Sequence, residues 1–253
     1  MKNFQSAKLF NYIPLTLILF ALSCAPTKEV RYEEKPKEDN SEMKLKPILK
    51  TMEVREREMA DQLNIAAIER INFEYDKRGN LINKGKLSIA KFDNKGFLTE
   101  TVVFDEKGNV QNRFEYKYNS NGLRTQSTRY DKHNKSDKIF KYEYDKQGIK
   151  IKALRYSIKD KLEKYYEYEY DSELNLIQDE WFDGDGNLEF KIENEYDRFG
   201  NKIESISIDE SGSIVSKIVY KYDEKKKIVV EEQIFDADNK PVGIVQYLYK
   251  YFN

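Results

Sequence analysis

The sequence predicts an all-β fold: an antiparallel meander of β-hairpins with about fourteen strands, curled or spiralled, behind one short helix. Three observations carry this. An aromatic residue, then Asp or Asn, two variable residues and usually Gly recurs every 26 residues, at Phe92, Tyr118, Tyr144, Tyr170, Tyr196 and Tyr222. A second series at Phe104, Tyr130, Tyr156, Phe182 and Ile208 interleaves with it, and Phe235 falls one residue late. Between these marks, apolar and charged residues alternate with period two. A fixed period of this length is the signature of a repeat architecture, and period-two alternation is that of half-buried strands.

Residues 1–23 read as an export leader. Lys2 and Lys8 precede a mostly apolar run from Leu9 to Leu22, too short for a spanning helix and suited to a signal-peptide core. Cys24, the only cysteine, follows Ala21-Leu22-Ser23. This resembles the lipobox of bacterial lipoproteins, although that family usually has Leu where Ala21 stands. The resemblance implies lipid on Cys24, which would give the lone thiol a physical role through burial of acyl chain. The alternative is plain secretion with a leftover thiol.

Residues 24–47 hold Pro26, Pro36 and Pro47 among Lys, Glu and Asp, a composition that buries no core and reads as a disordered tether. Residues 48–70 carry Met52, Met59, Leu63, Ala66 and Ala67 near a helical stripe with no Gly or Pro. A helix here would cap an exposed end of the array.

Residues 71–253 form the repeat domain. In the longer segments the columns Phe114, Phe140, Tyr166, Ile192, Ile218 and Tyr118, Tyr144, Tyr170, Tyr196, Tyr222 flank charged columns such as Lys117, Glu143, Glu169, Glu195. At each turn Asp or Asn can bond the backbone two residues on, and Gly supplies positive φ. With a four-residue loop, Tyr116 would face Thr125, Tyr142 Ile151 and Tyr168 Ile177, while Glu143 would face Lys150 and Glu195 Lys202. A parallel solenoid would instead stack Glu143, Glu169 and Glu195 about 4.8 Å apart, and like charges so placed are destabilising. The shorter segments put Thr99, Thr125, Ile151, Ile177, Ile203, Val229 and Val102, Thr128, Leu154, Glu180, Ile206 on opposite parities. A β-bulge at the small column Thr101, Ser127, Ala153, Asp179, Ser205 would bring both to one face. Thirteen turns from Tyr75-Asp76 to Phe235-Asp236 separate the strands.

Tyr75-Asp76-Lys77-Arg78-Gly79-Asn80, Phe104-Asp105-Glu106-Lys107-Gly108-Asn109, Phe182-Asp183-Gly184-Asp185-Gly186-Asn187 and Tyr196-Asp197-Arg198-Phe199-Gly200-Asn201 resemble the bacterial YD-repeat, or RHS-type, hairpin repeats. In that family the strands wind into a sheet spiral, and long versions enclose a toxin. This chain is far too short for that, so the resemblance implies architecture only.

Candidate sites are few. His133, the only histidine, sits inside a turn. Asp183 and Asp185 resemble the start of a calcium loop but lack its closing Glu, so a plain turn is the stronger reading. Trp181, the only tryptophan, stands in the column of Val103, Arg129, Arg155 and Ser207. It is either a contact platform for a ligand or, if half-buried, packing. No Ser-His-Asp or Cys-His set is available, and no cofactor is implied. A net charge of −1 builds no field for nucleic acid. The sequence thus predicts a non-enzymatic binding or structural lipoprotein of the outer membrane or cell surface, with an unknown envelope protein or glycan as partner. Alternatives are a glycan-binding protein or hydrolase with a site on the sheet, and an accessory factor of an envelope complex. Open sheet ends would permit dimerisation through an edge.

Overall fold

The computed structural model describes residues 50–253. The leader, Cys24 and the tether lie outside these residues. The helix α1 (Met52–Gln62) leads into β1 (Ile65–Tyr75), β2 (Leu81–Phe92), β3 (Leu98–Phe104), β4 (Val110–Tyr118), β5 (Arg124–Asp131), β6 (Ser136–Tyr144) and β7 (Lys150–Ser157). There follow β8 (Leu162–Tyr170), β9 (Leu176–Asp183), β10 (Leu188–Tyr196), β11 (Lys202–Asp209), β12 (Ile214–Tyr222), β13 (Val229–Asp236) and β14 (Pro241–Tyr251). Every strand pairs antiparallel with its neighbours in sequence, and β1 pairs with β14, so the meander closes as a fourteen-stranded barrel. The sheet is therefore closed rather than spiral. Closure joins the two free edges, which removes the expected edge for dimerisation.

The turns explain the Asp-x-x-Gly signal. At Asp105 the side chain accepts hydrogen bonds from the backbone N–H of Lys107 and Asn109, and its own N–H donates to the Asn109 carbonyl. The same pattern recurs at Asp76, Asp131, Asp183 and Asp236 on one rim, and at Asp93, Asn119, Asp145, Asp171 and Asp197 on the other. Such a loop holds five residues, not four. Tyr118 therefore pairs with Arg124, Tyr142 with Ala153, Tyr168 with Asp179, Glu143 with Lys152 and Glu195 with Glu204. The expected partners Thr125, Ile151, Ile177, Lys150 and Lys202 are displaced.

A bulge does occur in each odd strand from β3, but at the second residue, two before the small column expected to carry it: Phe92 faces Leu98 while Lys91 faces Glu100. It places Thr99 and Val102 on one face, as expected, but that face is the outer one. Ile151, Ile177 and Ile203 are exposed. The inward residues are instead Leu98, Arg124, Lys150, Leu176, Lys202 and Val229, with the small column behind them.

The Tyr/Phe ladder of the even strands fills the lumen. Phe114, Tyr166, Tyr168, Ile192, Ile218, Tyr220 and Tyr247 are buried, and all but Phe114 belong to two apolar clusters. Bulges leave carbonyls outside the ladder, and the repeat tyrosines serve them. The hydroxyls of Tyr118, Tyr144, Tyr196, Tyr222 and Tyr249 donate to the carbonyls of Leu98, Arg124, Leu176, Lys202 and Val229. One step deeper, Tyr116 donates to Thr101, and the Tyr142 and Tyr220 hydroxyls bond Ser127 and Ser205. The small polar column is thus the partner of the inner tyrosines.

The outer wall carries paired charges, among them Lys91–Glu100, Lys152–Glu167 and Lys221–Glu231. A membrane-crossing barrel needs an outward apolar band about 25 Å tall, and these charges interrupt any such band. The second aromatic series lies on this outer face near one rim. Phe182 stacks on Tyr165 at 4.7 Å, and Arg113 covers Tyr130 at 4.1 Å.

The helix is shorter than the expected 48–70, because β1 begins at Ile65 and takes in Ala66 and Ala67. Asn64 in the left-handed region, φ 56°, ends it, and the Leu63 N–H closes the last turn on the Met59 carbonyl. Its buried stripe is Met52, Arg55, Glu56, Met59 and Ala60.

Candidate functional site at the capped end of the barrel

α1 lies across one mouth of the barrel, as expected of a cap. Met52 joins the cluster of Ala153, Tyr166, Tyr168 and Leu176, while Met59 and Ala60 join Ile65, Ile228 and Val229. Arg55 donates from Nη2 to the Leu174 carbonyl and to Asn175 Oδ1, both at 3.0 Å. Gly96 sits so close that a Cβ there would strike the Arg57 carbonyl and the Asp61 N–H.

Beneath the helix, side chains of both signs meet. The bulge geometry turns Arg124, Lys150 and Lys202 inward at the starts of β5, β7 and β11. The helix presents Glu53 and Glu56. Glu53 Oε1 accepts from Lys150 Nζ at 2.8 Å, and Arg124 lies over the Tyr116 ring at 4.8 Å. Burial alone would raise the Glu53 pKa, yet Lys150 and Arg124 hold it down at about 2. Glu56 shows the opposite outcome: burial, with the nearby Glu53 charge, pushes its carboxyl well above the ordinary range. Burial lowers Lys202 to about 8. Deeper in the lumen Arg70 and Glu232, 2% and 1% exposed, pair at 2.8 Å, and Tyr247 donates to the same carboxylate.

Of these groups Glu53, Glu56, Arg70 and Arg124, with Ser88 and Tyr118 among others, line a cavity of about 40 Å³. That volume holds roughly three waters. It brings a proton-holding carboxyl and guanidinium donors together around a small, partly enclosed space.

Trp181 is half-buried and inward, packed edge-on to Tyr166 at 5.3 Å and tilted on Phe190 at 5.4 Å. That is the packing arrangement rather than a platform. Asp183 accepts from the N–H groups of Asp185 and Asn187 and from the Asn187 amide, so its oxygens are occupied by its own turn. Among the described residues no group of three or more His, Cys, Asp or Glu is placed to hold a metal. His133 lies exposed in the turn closed by Asp131, on the rim opposite the helix, and its N–H donates to the Asp131 carboxylate. Sequence reasoning missed Arg124, Lys150, Lys202, Glu56, Arg70 and Glu232. The available signal was the column one residue before the isoleucines, where Leu98, Leu176 and Val229 alternate with cations.

No family model matches the chain, and no curated protein matches it. Among solved structures it is similar to a porin-like protein from Bacteroides uniformis, with 11% identity over 74% of this chain and 98% of that one and a TM-score of 0.43. A porin-like protein from Bacteroides vulgatus matches with 12% identity over 74% and 100%, TM-score 0.33. A Photorhabdus luminescens Tc holotoxin pore matches with 15% identity over 64% of this chain, TM-score 0.31. The chain spans only 10% of that toxin's length. No residue role or activity is carried over from likenesses this distant.

Proposed function

We propose that this protein is a lipid-anchored, non-enzymatic barrel module of the cell envelope, related in its repeats to the YD type. Lipid on Cys24 and the Pro-containing tether hold it to a membrane, and the barrel meets an envelope protein or glycan through its outer wall. The observation that carries this is the filled, helix-capped lumen inside a charged wall: contact area for a macromolecule lies outside, not within. Two experiments test it. Cys24→Ala should release the protein from the membrane fraction, and unchanged retention would sink the anchor. Photo-crosslinkers at exposed wall positions such as Ile203 and Leu248 should capture one recurrent envelope partner, whereas crosslinking no different from that of an unrelated tethered protein would sink the contact role.

The hydrolase reading is kept second on one observation. Glu53 and Glu56 have pKa values pushed apart, as acid–base pairs do. A cavity of about 40 Å³ admits no sugar ring, so that reading requires the helix to leave.

A further inference from the structure

The cavity under α1 has an imbalance of hydrogen-bonding groups. Arg70, Ser88, Arg124 and Glu56 all line it and are 2%, 1%, 4% and 8% exposed. Their buried atoms without a partner are Arg70 Nε and Nη1, Arg124 Nε and Nη1, Ser88 Oγ and Glu56 Oε1. Four of the six are guanidinium donors that can only donate, and Ser88 can donate as well. Buried polar groups are almost always satisfied, so the cavity calls for an occupant that accepts. Water donates as much as it accepts and would leave its own hydrogens facing guanidinium groups. The two acids nearby do not oppose an anion strongly. Glu53 is turned to Lys150, and Glu56 sits where burial favours its neutral, hydrogen-donating form. The Arg70 charge is already matched by Glu232, which leaves Arg124, with Arg57, as the cations lining the space.

We propose that the cavity is a binding site for one small monovalent anion, a halide or a one- or two-carbon carboxylate, held between Arg124 and Arg70 with Ser88 and closed in by α1. The cavity, with room for roughly three waters, accommodates such an ion. Because the helix is the lid, occupancy would fasten the cap to the barrel, and the tethered end of the chain to the domain.

The test uses the full chain and two readouts. Thermal unfolding is followed at constant ionic strength while sodium gluconate is replaced by chloride, or by formate. The expected result is a saturable rise of about 5–10 °C at a hundredfold excess over Kd, absent in Arg124→Gln. Ser88→Val, which fills the cavity without touching the cations, is expected to lose the rise as well and serves if Arg124→Gln does not fold. Crystals grown in bromide should show one anomalous-scattering peak inside the cavity beside Arg124, displaced by formate if the carboxylate is the tighter ligand and retained if the halide is. The proposal requires both the rise and the peak. A cavity holding only water, or melting curves identical in gluconate, chloride and formate, overturns it.

Discussion

Replacing Glu232 with Leu should be among the most damaging single changes in the barrel. Arg70 and Glu232 lie 2.8 Å apart and are 2% and 1% exposed. At an effective dielectric of about 20 their attraction is about 6 kcal/mol, set against several kcal/mol of desolvation for each ion. Burial alone would lower the Arg70 pKa, and the adjacent Glu232 carboxylate raises it above its ordinary value. Glu232→Leu leaves that guanidinium charged, buried and unpaired, at an expected cost of about 3–5 kcal/mol, a large share of a typical domain's stability. Arg70→Met combined with Glu232→Leu removes both charges and should return to within about 1–2 kcal/mol of the parent. Urea unfolding followed by Trp181 fluorescence measures the cycle, because Trp181, the only tryptophan, packs on Tyr166 and Phe190 in the lumen. A single-variant cost under about 1 kcal/mol, or a double-variant cost equal to the sum of the two, would refute the buried-pair reasoning.

Three further outcomes follow from the geometry. Tyr222→Phe strips the Lys202 carbonyl of its phenol donor and should cost about 1–2 kcal/mol. Tyr196→Phe should cost less, because Asn194 Nδ2 also donates to the Leu176 carbonyl at 3.0 Å; equal costs by thermal melting would contradict this. Gly96→Ala and Gly108→Ala impose the same left-handed strain, at φ 75° and 79°, of about 1–2 kcal/mol. Only Gly96 abuts the helix backbone, so only Gly96→Ala should also speed hydrogen exchange across α1. Finally, the Glu53 pKa falls from 4.5 to about 2 on folding. A depressed carboxylate stabilises above pH 4.5 and loses that contribution as pH falls toward 2. With the side chain 21% exposed, the contribution is about 2 kcal/mol. Stability curves of the parent and Glu53→Gln should differ by that amount at pH 6 and converge near pH 2; parallel curves would exclude the Lys150 pairing as the cause.

Much of the barrel could be read from the chain because its two strongest local rules are self-contained. Asp105 satisfies its loop within five residues, and Tyr116 alternates with Glu115 and Lys117 whatever the neighbours do. Strand number and direction follow from these. Register did not follow, because one extra loop residue and one bulge move Ile151 outward and Lys150 inward together, and period-two reasoning cannot distinguish the two placements. Closure rests on β1 meeting β14, a contact between residues such as Ile71 and Gln246 that no local pattern encodes. The charged cluster was hidden for a related reason. Helical periodicity shows in apolar residues, so Met52 and Met59 stand out, while Arg55 and Glu56 on the same stripe give no such signal. Their burial makes sense only once Arg124 and Lys150 lie opposite.

The most direct test of a closed, capped barrel is a disulfide across its seam. Ile71 and Gln246 are directly opposed on β1 and β14, at a spacing of about 4.5–5.5 Å between Cα atoms that a disulfide can bridge. In a full chain with Cys24→Ala, the variant Ile71→Cys/Gln246→Cys is expected to oxidise spontaneously within one molecule and to melt higher than its reduced form. A spiral with free ends would leave these thiols reduced or link them between molecules, and that result would contradict the barrel.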